Sequence, residues 1–367
     1  MPKTEWLAAA PMTATSAKAD TPLHPFLARL MRGENLSFKE AGKFFEALTD
    51  ENANPAQIAG ALVALAAKGE TFEELAGMAK AMRARAFNIK SRHKNFIDTA
   101  GTGSGQTKTF NVSTAAAFVI AGAGLAVAKH GNRAVTSKTG SADVLESLGV
   151  KVSAEPEVEQ TCLNGAGICF MFAPKFHPAL RRVGDIRRNL GVRTSLNLLG
   201  PLSNPAKAPK QIIGVWHQSL VAPMAEALAL LGAERAWVFH GADGLDEITL
   251  TRETYVAEVQ KNKIHFFQIE PENFGLKRGR IAHLKANTPA ESAKIIKEVL
   301  SSKRRDEARS LVVMNAAAAL VVGGIAKDPM HAARLAEQSI DSGQAQNKLE
   351  RLIQTTNKES QVSSPKS

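Results

Sequence analysis

The 367-residue sequence predicts an α/β protein with a small all-helical domain and a larger α/β domain built on a mainly parallel central sheet. Three observations favour this fold class. Residues 23–92 carry helix-capping patterns, short apolar runs alternate with helical segments after residue 93, and the length exceeds one typical domain. With 44% apolar and 22% charged residues, the composition argues against a disordered or fibrous chain.

The helical domain is predicted from its helix starts. Residues 37–40 and 71–74 have the Ser/Thr-x-x-Glu spacing of capping boxes, and Asn54 precedes a first-turn proline. Apolar residues recur between these starts with a helical period. We therefore expect residues 23–92 to form helices only, with residues of about 175–200 returning to pack on them.

The α/β domain is expected to span residues 93–354. Its buried strands are predicted by continuously apolar runs at 96–98, 125–128, 168–172, 212–216, 237–239 and 311–314. Continuous hydrophobicity indicates parallel strands covered by helices on both faces. Residues 254–259 and 264–269 alternate instead, which predicts an antiparallel, hairpin-like addition. Because ligands of such sheets bind beyond the carboxyl ends of the strands, the segments after the runs are the candidate site.

The net charge, the cysteine spacing and the chain ends limit the possible partners and the cellular compartment. The net charge of +11 indicates an anionic partner, whether nucleic acid, a membrane surface or a phosphorylated metabolite. The longest uncharged run, 110–128, has polar residues at one end and a glycine break, so it predicts a buried helix and strand and no membrane span. Cys162 and Cys169 fit neither zinc nor redox spacing, which favours buried thiols in the cytoplasm. Residues 1–22 are expected to be a disordered lead-in, and 355–367 a flexible tail.

Two segments after predicted strands resemble anion-binding loops in composition. Residues 100–114, AGTGSGQTKTFNVST, carry three glycines in five residues before a helix start, which is typical of a phosphate cradle or of a tight turn with a helix cap. Residues 129–149 concentrate lysine, arginine, asparagine and serine around two glycines. This composition suits a ligand with several charged oxygens, or a solvated basic loop. Asp143 and Glu146 are expected to serve the dipole of the following helix.

Two further segments complete the candidate site. Residues 172–205 place four arginines on a predicted helix, enough to hold a carboxylate, although most are expected to be solvated. Residues 198–205 are rich in turn formers and predict a hinge or an interdomain connection. Asp246 and Glu247 are adjacent acids on a glycine-rich loop of an otherwise cationic site. Opposed charges in one cleft suggest bridging by Mg²⁺.

Together these motifs resemble the anthranilate phosphoribosyltransferases, a family of class III phosphoribosyltransferases, over residues 24–350. The resemblance rests on six stretches in the family's order: FNVST (110–114), KHGNR (129–133), the following S-K-x-G-S-A-D-V-L-E (137–146), LGVRT with NLLGPLSNP (190–205) and DGLDE (243–247). It implies a nucleoside phosphorylase/phosphoribosyltransferase-like fold, a site between the two domains and a homodimer formed through the helical part. One stretch departs from the family pattern. Residues 101–105 read GTGSG where the family reads GTGGD, which removes one acid and bears on metal use and specificity.

The resemblance implies transfer of the phosphoribosyl group of 5-phosphoribosyl 1-pyrophosphate (PRPP) to anthranilate, giving N-(5-phosphoribosyl)anthranilate and pyrophosphate in tryptophan biosynthesis. It implies catalysis by Lys129, Asn132 and Arg187, and Mg²⁺ ligation by Ser113, Asp246 and Glu247. PRPP would contact Gly101, Ser104, Gly105, Thr109, Asn111, Val112, Ser113, Thr114, Lys129, His130, Gly131, Asn132, Arg133, Ala134, Val135, Thr136, Ser137 and Ser141. Anthranilate would contact Gly101, Asn132, Arg187, His130 and His177.

Two alternatives stay open at this level. A pyrimidine nucleoside phosphorylase shares the general fold and a comparable S-x-x-G-x-x-D-x-L-E stretch, although complete KHGNR and DGLDE motifs favour the transferase. A nucleic-acid-binding relative is suggested by the net charge and the altered glycine loop. Residues 303–305, Lys-Arg-Arg, have no role in the transferase chemistry and would belong to such a surface.

Overall fold

The computed structural model describes residues 21–103, 105–134 and 139–358. Its first four helices are α1 (His24–Met31), α2 (Phe38–Leu48), α3 (Pro55–Lys68) and α4 (Phe72–Ala84). Both predicted capping boxes are present. The hydroxyls of Ser37 and Thr71 each accept the backbone N–H of the glutamate three residues on, and that glutamate's carboxylate accepts the backbone N–H of the serine or threonine. Asn54 caps α3 through its side chain. The three predicted helix starts are confirmed.

A seven-stranded sheet forms the centre of the larger part. Its strands are β1 (Phe96–Asp98), β2 (Ala126–Gly131), β3 (Ile168–Phe172), β4 (Lys210–Gly214), β5 (Arg235–Gly241), β6 (Thr254–Gln260) and β7 (Lys263–Ile269). The order is β3-β2-β1-β4-β5-β6-β7, with β1 to β5 parallel and β6 and β7 antiparallel. The mainly parallel sheet and the hairpin addition are confirmed. The strand order reverses between β1 and β4, which is where ligands bind in open α/β sheets.

Eleven further helices, within the described ranges, cover the sheet and connect it to the helical part. They are α5 (Val112–Gly122), α6 (Ser141–Leu148), α7 (Pro156–Ala166), α8 (Ala173–Phe176), α9 (Arg181–Leu190), α10 (Leu196–Leu202), α11 (Val221–Leu230), α12 (Pro289–Leu300), α13 (Glu307–Val322), α14 (Pro329–Asp341) and α15 (Gln344–Lys358). One core surrounds α5 and α13. A second core joins α1 to α4 with α9, α10, α11 and the opposite face of the sheet. Residues of α9 and α10 therefore pack on the helical part, as predicted.

Three sequence-based expectations are wrong. The run 311–314, predicted as a strand, lies inside α13, where nearly every residue is buried, so a buried helix produced an apolar run without a helical period. Residues 198–202 belong to α10 and carry leucines of the second core, so the hinge is wrong. The alternative, an interdomain connection, agrees with the structure, because the Leu202 carbonyl accepts Arg83 Nε of α4 and the Pro201 carbonyl accepts Gln211 Nε2 of β4. The tail does not begin at residue 355, because α15 continues to Lys358 and the buried Thr356 hydroxyl accepts the Lys151 N–H.

Other expectations about the chain concern burial. Cys162 and Cys169 are both buried, as predicted, and burial raises the pKa of the Cys169 thiol. Within the described ranges, no helix is long and apolar enough to cross a bilayer. Residues 1–20 and 359–367, which make up most of the predicted lead-in and tail, lie outside the described residues.

Candidate active site

A cleft of about 800 Å³ opens beyond the carboxyl ends of β1, β2, β4 and β5. Met82 of α4 and Arg187 of α9 line its opposite wall, so the cleft lies between the helical part and the sheet. Most of the predicted site residues line it: Gly101, Thr109, Asn111, Ser113, Lys129, His130, Gly131, Asn132, Arg133, Ala134, Ser141, His177, Arg187, Asp246 and Glu247. The structure thus brings the four predicted segments to one place.

A few predicted contacts do not line the cleft. Val112 and Thr114 are buried in the first turn of α5 and are not among the residues that line the cleft. Gly105 lies against Asp246 and does not line the cleft. Ser104, Val135, Thr136 and Ser137 lie outside the described residues.

The acid pair Asp246 and Glu247 sits in the loop that follows β5. The backbone N–H of Ser113, at the start of α5, donates to Glu247 Oε1 at 3.1 Å. Burial raises the pKa of both carboxyls, and the charge of Asp246 raises that of Glu247 further. Two adjacent half-buried acids, beside a serine hydroxyl, form the all-oxygen donor set that Mg²⁺ prefers. The residues present fit this ion.

Lys129, at the end of β2, lies beneath the acid pair. Its Nζ donates to the Thr99 carbonyl at 3.0 Å and lies 3.5 Å from Ser113 Oγ. Burial lowers the pKa of this ammonium, whereas the charges of Asp98 and Glu247 raise it. The lysine is thus a fixed cation whose position is set by the end of β1.

Asp98 is a positioning residue that sequence reasoning missed. Its carboxylate is fully buried at the end of β1 and accepts the His130 N–H at 3.1 Å and Asn204 Nδ2 at 2.7 Å. Burial raises its pKa to about 6, against the opposing effects of Asn204 and Lys129. Asp98 therefore joins the KHGNR loop to the segment after α10. An acid ending an otherwise apolar strand was the available sequence signal.

Two histidines form an uncharged wall of the cleft. The rings of His130 and His177 lie 5.1 Å apart between centroids, and His130 Nδ1 pairs with the Gly200 carbonyl at 2.9 Å. Burial lowers the pKa of His130 to about 4 and that of His177 to about 3, so both are neutral at physiological pH. Two neutral imidazoles, tilted 57° to each other, give this wall aromatic faces and edges that suit a flat aromatic group.

Arg187 differs from its neighbouring arginines. Burial lowers its pKa, and its Nε is buried without a hydrogen-bond partner among the described residues. Arg188 is exposed and pairs with Asp185, and Arg181 and Arg182 are also exposed. Within the part of the chain that the structure describes, this half-buried guanidinium has no counter-charge, and it shares the cleft with the neutral imidazoles, so it suits a planar carboxylate.

The basic loop after β2 is partly neutralised by its own acids. Arg133 holds Glu146 through two contacts of 2.6 Å and Asp143 through one of 3.0 Å. Asp143 also accepts the Gly140 N–H at the start of α6, as the dipole interpretation predicted. That interpretation is wrong for Glu146, which lies in the last turns of α6 and binds Arg133 instead. Asn132 lines the cleft, and its Oδ1 accepts the Arg133 N–H.

The chain is similar to known proteins over most of its length. The helical bundle domain of the glycosyl transferase family matches residues 24–86, and the a/b domain of that family matches residues 93–346. An anthranilate phosphoribosyltransferase of Desulfosudis oleivorans is 48% identical over 330 residues, which are 90% of this chain and 97% of that protein. The chain belongs to the anthranilate phosphoribosyltransferase family. The predicted fold class is confirmed with it.

Solved structures of this family have the same fold. The anthranilate phosphoribosyltransferase of Thermus thermophilus is 40% identical, with a TM-score of 0.84 over 90% of this chain and 99% of that one. The Saccharomyces cerevisiae enzyme in complex with PRPP and Mg is 28% identical, with a TM-score of 0.84 over 94% and 99%. Membership in a transferase family favours the transferase over the pyrimidine nucleoside phosphorylase alternative.

The glycine loop of this family member is pressed against its acid loop. A Cβ on Gly105 would lie 2.5 Å from Asp246 Oδ1, closer than real contacts allow, and the Gly105 backbone hydrogen bonds the same carboxylate. A side chain at position 105 would therefore displace Asp246. The departure from the family's GTGGD pattern and the local geometry are mutually consistent.

The basic residues 303–305, which suggested a nucleic-acid-binding surface, are partly neutralised by nearby acids. Arg304 pairs with Glu298 and Asp306, and Arg305 pairs with Asp341 at 3.4 Å. Two of the three cations at residues 303–305 therefore have local acidic partners. This pairing weakens the case for a phosphate-binding surface there.

Proposed function

We propose that the cleft transfers the phosphoribosyl group of PRPP to anthranilate and releases pyrophosphate, the reaction of its family. The observation that carries this assignment is the presence of two chemically different ends in one cleft. The acid pair, Lys129 and the glycine loop suit a metal-bound diphosphate. Arg187 and the neutral histidines suit an aromatic carboxylate. A substrate pair of one sugar diphosphate and one aromatic acid matches both ends.

The diphosphate end contributes leaving-group stabilisation. Mg²⁺ held by Ser113, Asp246 and Glu247 would neutralise the phosphate oxygens as pyrophosphate departs. Lys129 adds a charge that needs no reorganisation, because Thr99 and Asp98 already hold it in place. Breaking the bond at the ribose anomeric carbon gives an oxocarbenium-like centre, so charge neutralisation of the leaving group is the main requirement.

The aromatic end contributes orientation. Arg187 would bind the anthranilate carboxylate, and Asn132 would help to direct the amine toward the anomeric carbon. The amine loses its proton only as the new bond forms, when that proton becomes acidic. A strong general base is therefore not required, and the low pKa values of His130 and His177 agree with this.

A transfer assay tests the assignment. Purified protein is mixed with anthranilate, PRPP and Mg²⁺, and loss of anthranilate fluorescence is followed together with pyrophosphate release. We expect one pyrophosphate for each anthranilate consumed. Phosphate-dependent release of base from thymidine or uridine, without anthranilate consumption, would instead identify a nucleoside phosphorylase. DNA binding that weakens steeply with salt, in a protein without transfer activity, would support the nucleic-acid alternative.

We also propose that the chain acts as a cytoplasmic homodimer formed through its helical part. Met31 on α1 and Val63 on α3 are 59% and 45% exposed, so this part presents apolar side chains to its surroundings. Light scattering of the purified protein measures the mass directly. A dimer that becomes a monomer in Val63→Glu supports the interface, and a wild-type monomer contradicts it.

A further inference from the structure

A different lysine lies near each acid of the pair Asp246 and Glu247. Lys129 lies beneath Glu247, and its ammonium is held by Thr99. Lys108 lines the cleft near Asp246, on the glycine loop between β1 and α5. Burial lowers the pKa of Lys108, the charge of Asp246 raises it and that of Arg193 lowers it. Lys108 belongs to none of the motifs that carry the family resemblance.

The backbone leading to Lys108 is fixed on the acid loop. The N–H groups of Gln106 and Thr107 donate to the Gly244 carbonyl at 3.1 and 3.3 Å. The Thr107 hydroxyl donates to the Asp243 carbonyl at 2.6 Å. Three hydrogen bonds just before Lys108 therefore set where its side chain enters the cleft, so the lysine stays next to the proposed metal ligands.

The ammonium of Lys108 is available to a ligand. Among the described residues, it forms neither an ion pair nor a hydrogen bond, although it is half-buried. A compact ammonium beside a Mg²⁺ donor set suits the phosphate oxygens that such an ion also binds. It lies beside Asp246, in the diphosphate end, and the guanidinium of Arg187 is assigned to the carboxylate end.

We propose that Lys108 binds the diphosphate group of PRPP and of the released pyrophosphate, as a second lysine opposite Lys129. The assignment rests on the proposed function for the identity of the substrate. It does not rest on that function for the ligand's chemistry, because pyrophosphate can be tested directly as a ligand.

Calorimetric titration of pyrophosphate with Mg²⁺ into the full-length protein tests the proposal. Lys108→Met is compared with Lys108→Arg, which keeps the charge, and with Lys94→Met, which removes an exposed lysine outside the cleft. We expect Lys108→Met to raise the pyrophosphate Kd and the KM for PRPP about 10- to 100-fold, as for loss of a charged hydrogen bond. The KM for anthranilate should stay within about twofold, Lys108→Arg within about threefold and Lys94→Met unchanged.

The outcomes separate this proposal from the proposed function. A pyrophosphate Kd in Lys108→Met within about twofold of wild type overturns the Lys108 assignment, even if the transfer assay succeeds. Wild-type protein that binds no pyrophosphate overturns it as well. Lys108-dependent pyrophosphate binding in a protein that does not consume anthranilate supports the lysine and refutes the proposed function alone.

Discussion

Replacing Arg187 by methionine should change substrate binding and folding stability in opposite directions. The guanidinium is half-buried on α9, and its Nε is buried without a partner among the described residues. Methionine keeps most of the apolar stem and removes the charge. If Arg187 served packing, its replacement would lower the stability of the protein. If it serves a ligand, its unpaired guanidinium destabilises the unliganded protein, and its replacement raises stability.

The magnitudes follow from these contacts. A charged hydrogen bond contributes about 1.5–3 kcal/mol, so loss of the carboxylate contact should raise the KM for anthranilate about 10- to 100-fold. The KM for PRPP should change less than about threefold, because Arg187 lies at the other end of the cleft. An unpaired buried donor costs about 1–3 kcal/mol, so its removal should raise the free energy of unfolding by about 1 kcal/mol.

Steady-state kinetics and urea denaturation measure the two effects on one preparation. Arg188→Met is the matched control, because Arg188 adjoins Arg187 on α9 but is exposed and paired with Asp185. It should change neither quantity. An Arg187→Met enzyme whose KM for anthranilate stays within about twofold of wild type would refute the carboxylate assignment.

Three further perturbations test other parts of the site and core. Asp246→Asn with Glu247→Gln should lower kcat/KM more than about 100-fold, and a value within about threefold, or roughly 0.65 kcal/mol, would mean that the metal assignment is wrong. Asp98→Asn leaves one oxygen for two donors, so its NH₂ group faces either Asn204 Nδ2 or the His130 N–H, and it removes the charge that supports Lys129. Urea denaturation should show a loss of about 3 kcal/mol, and a loss below about 1 kcal/mol would show that Asp98 does not hold these loops. Glu159 is fully buried, and burial raises its pKa to about 8 from the ordinary 4.5, so the folded state keeps a proton that the unfolded state releases. Its contribution to stability is therefore complete below pH 4.5 and lost as the pH rises to 8. Between these limits the free energy of unfolding of the wild type should fall by about 1.4 kcal/mol per pH unit relative to Glu159→Gln. A difference in stability between wild type and variant that is the same at every pH would contradict this.

The elements that the sequence predicts well are those with local signals. The capping boxes at Ser37 and Thr71 depend on residues three positions apart, and the strand runs depend on neighbours in the chain. The prediction fails for residues 311–314, because a helix buried on all sides has no polar face to reveal its period.

Some residues of the candidate site could be predicted from the sequence, and others could not. The motif residues that line the cleft could be predicted because loops after parallel strands meet at one edge of the sheet. Asp98 and Asn204 could not be paired in advance, since 106 residues separate them and only the fold brings them together. Arg187 and Arg188 are adjacent and chemically identical in sequence. Their different burial on α9 is a tertiary property, so only the structure distinguishes the candidate ligand from its solvated neighbour.

A crystal structure of the protein with Mg²⁺, pyrophosphate and anthranilate tests the two-ended cleft most directly, because these three ligands cannot react with one another. We expect Mg²⁺ about 2.1 Å from a carboxylate oxygen of Asp246 or Glu247, with pyrophosphate between that ion and Lys129. We expect the anthranilate carboxylate on Arg187, beside His130. Pyrophosphate bound to Arg187, or anthranilate bound against the acid pair, would contradict the two-ended cleft.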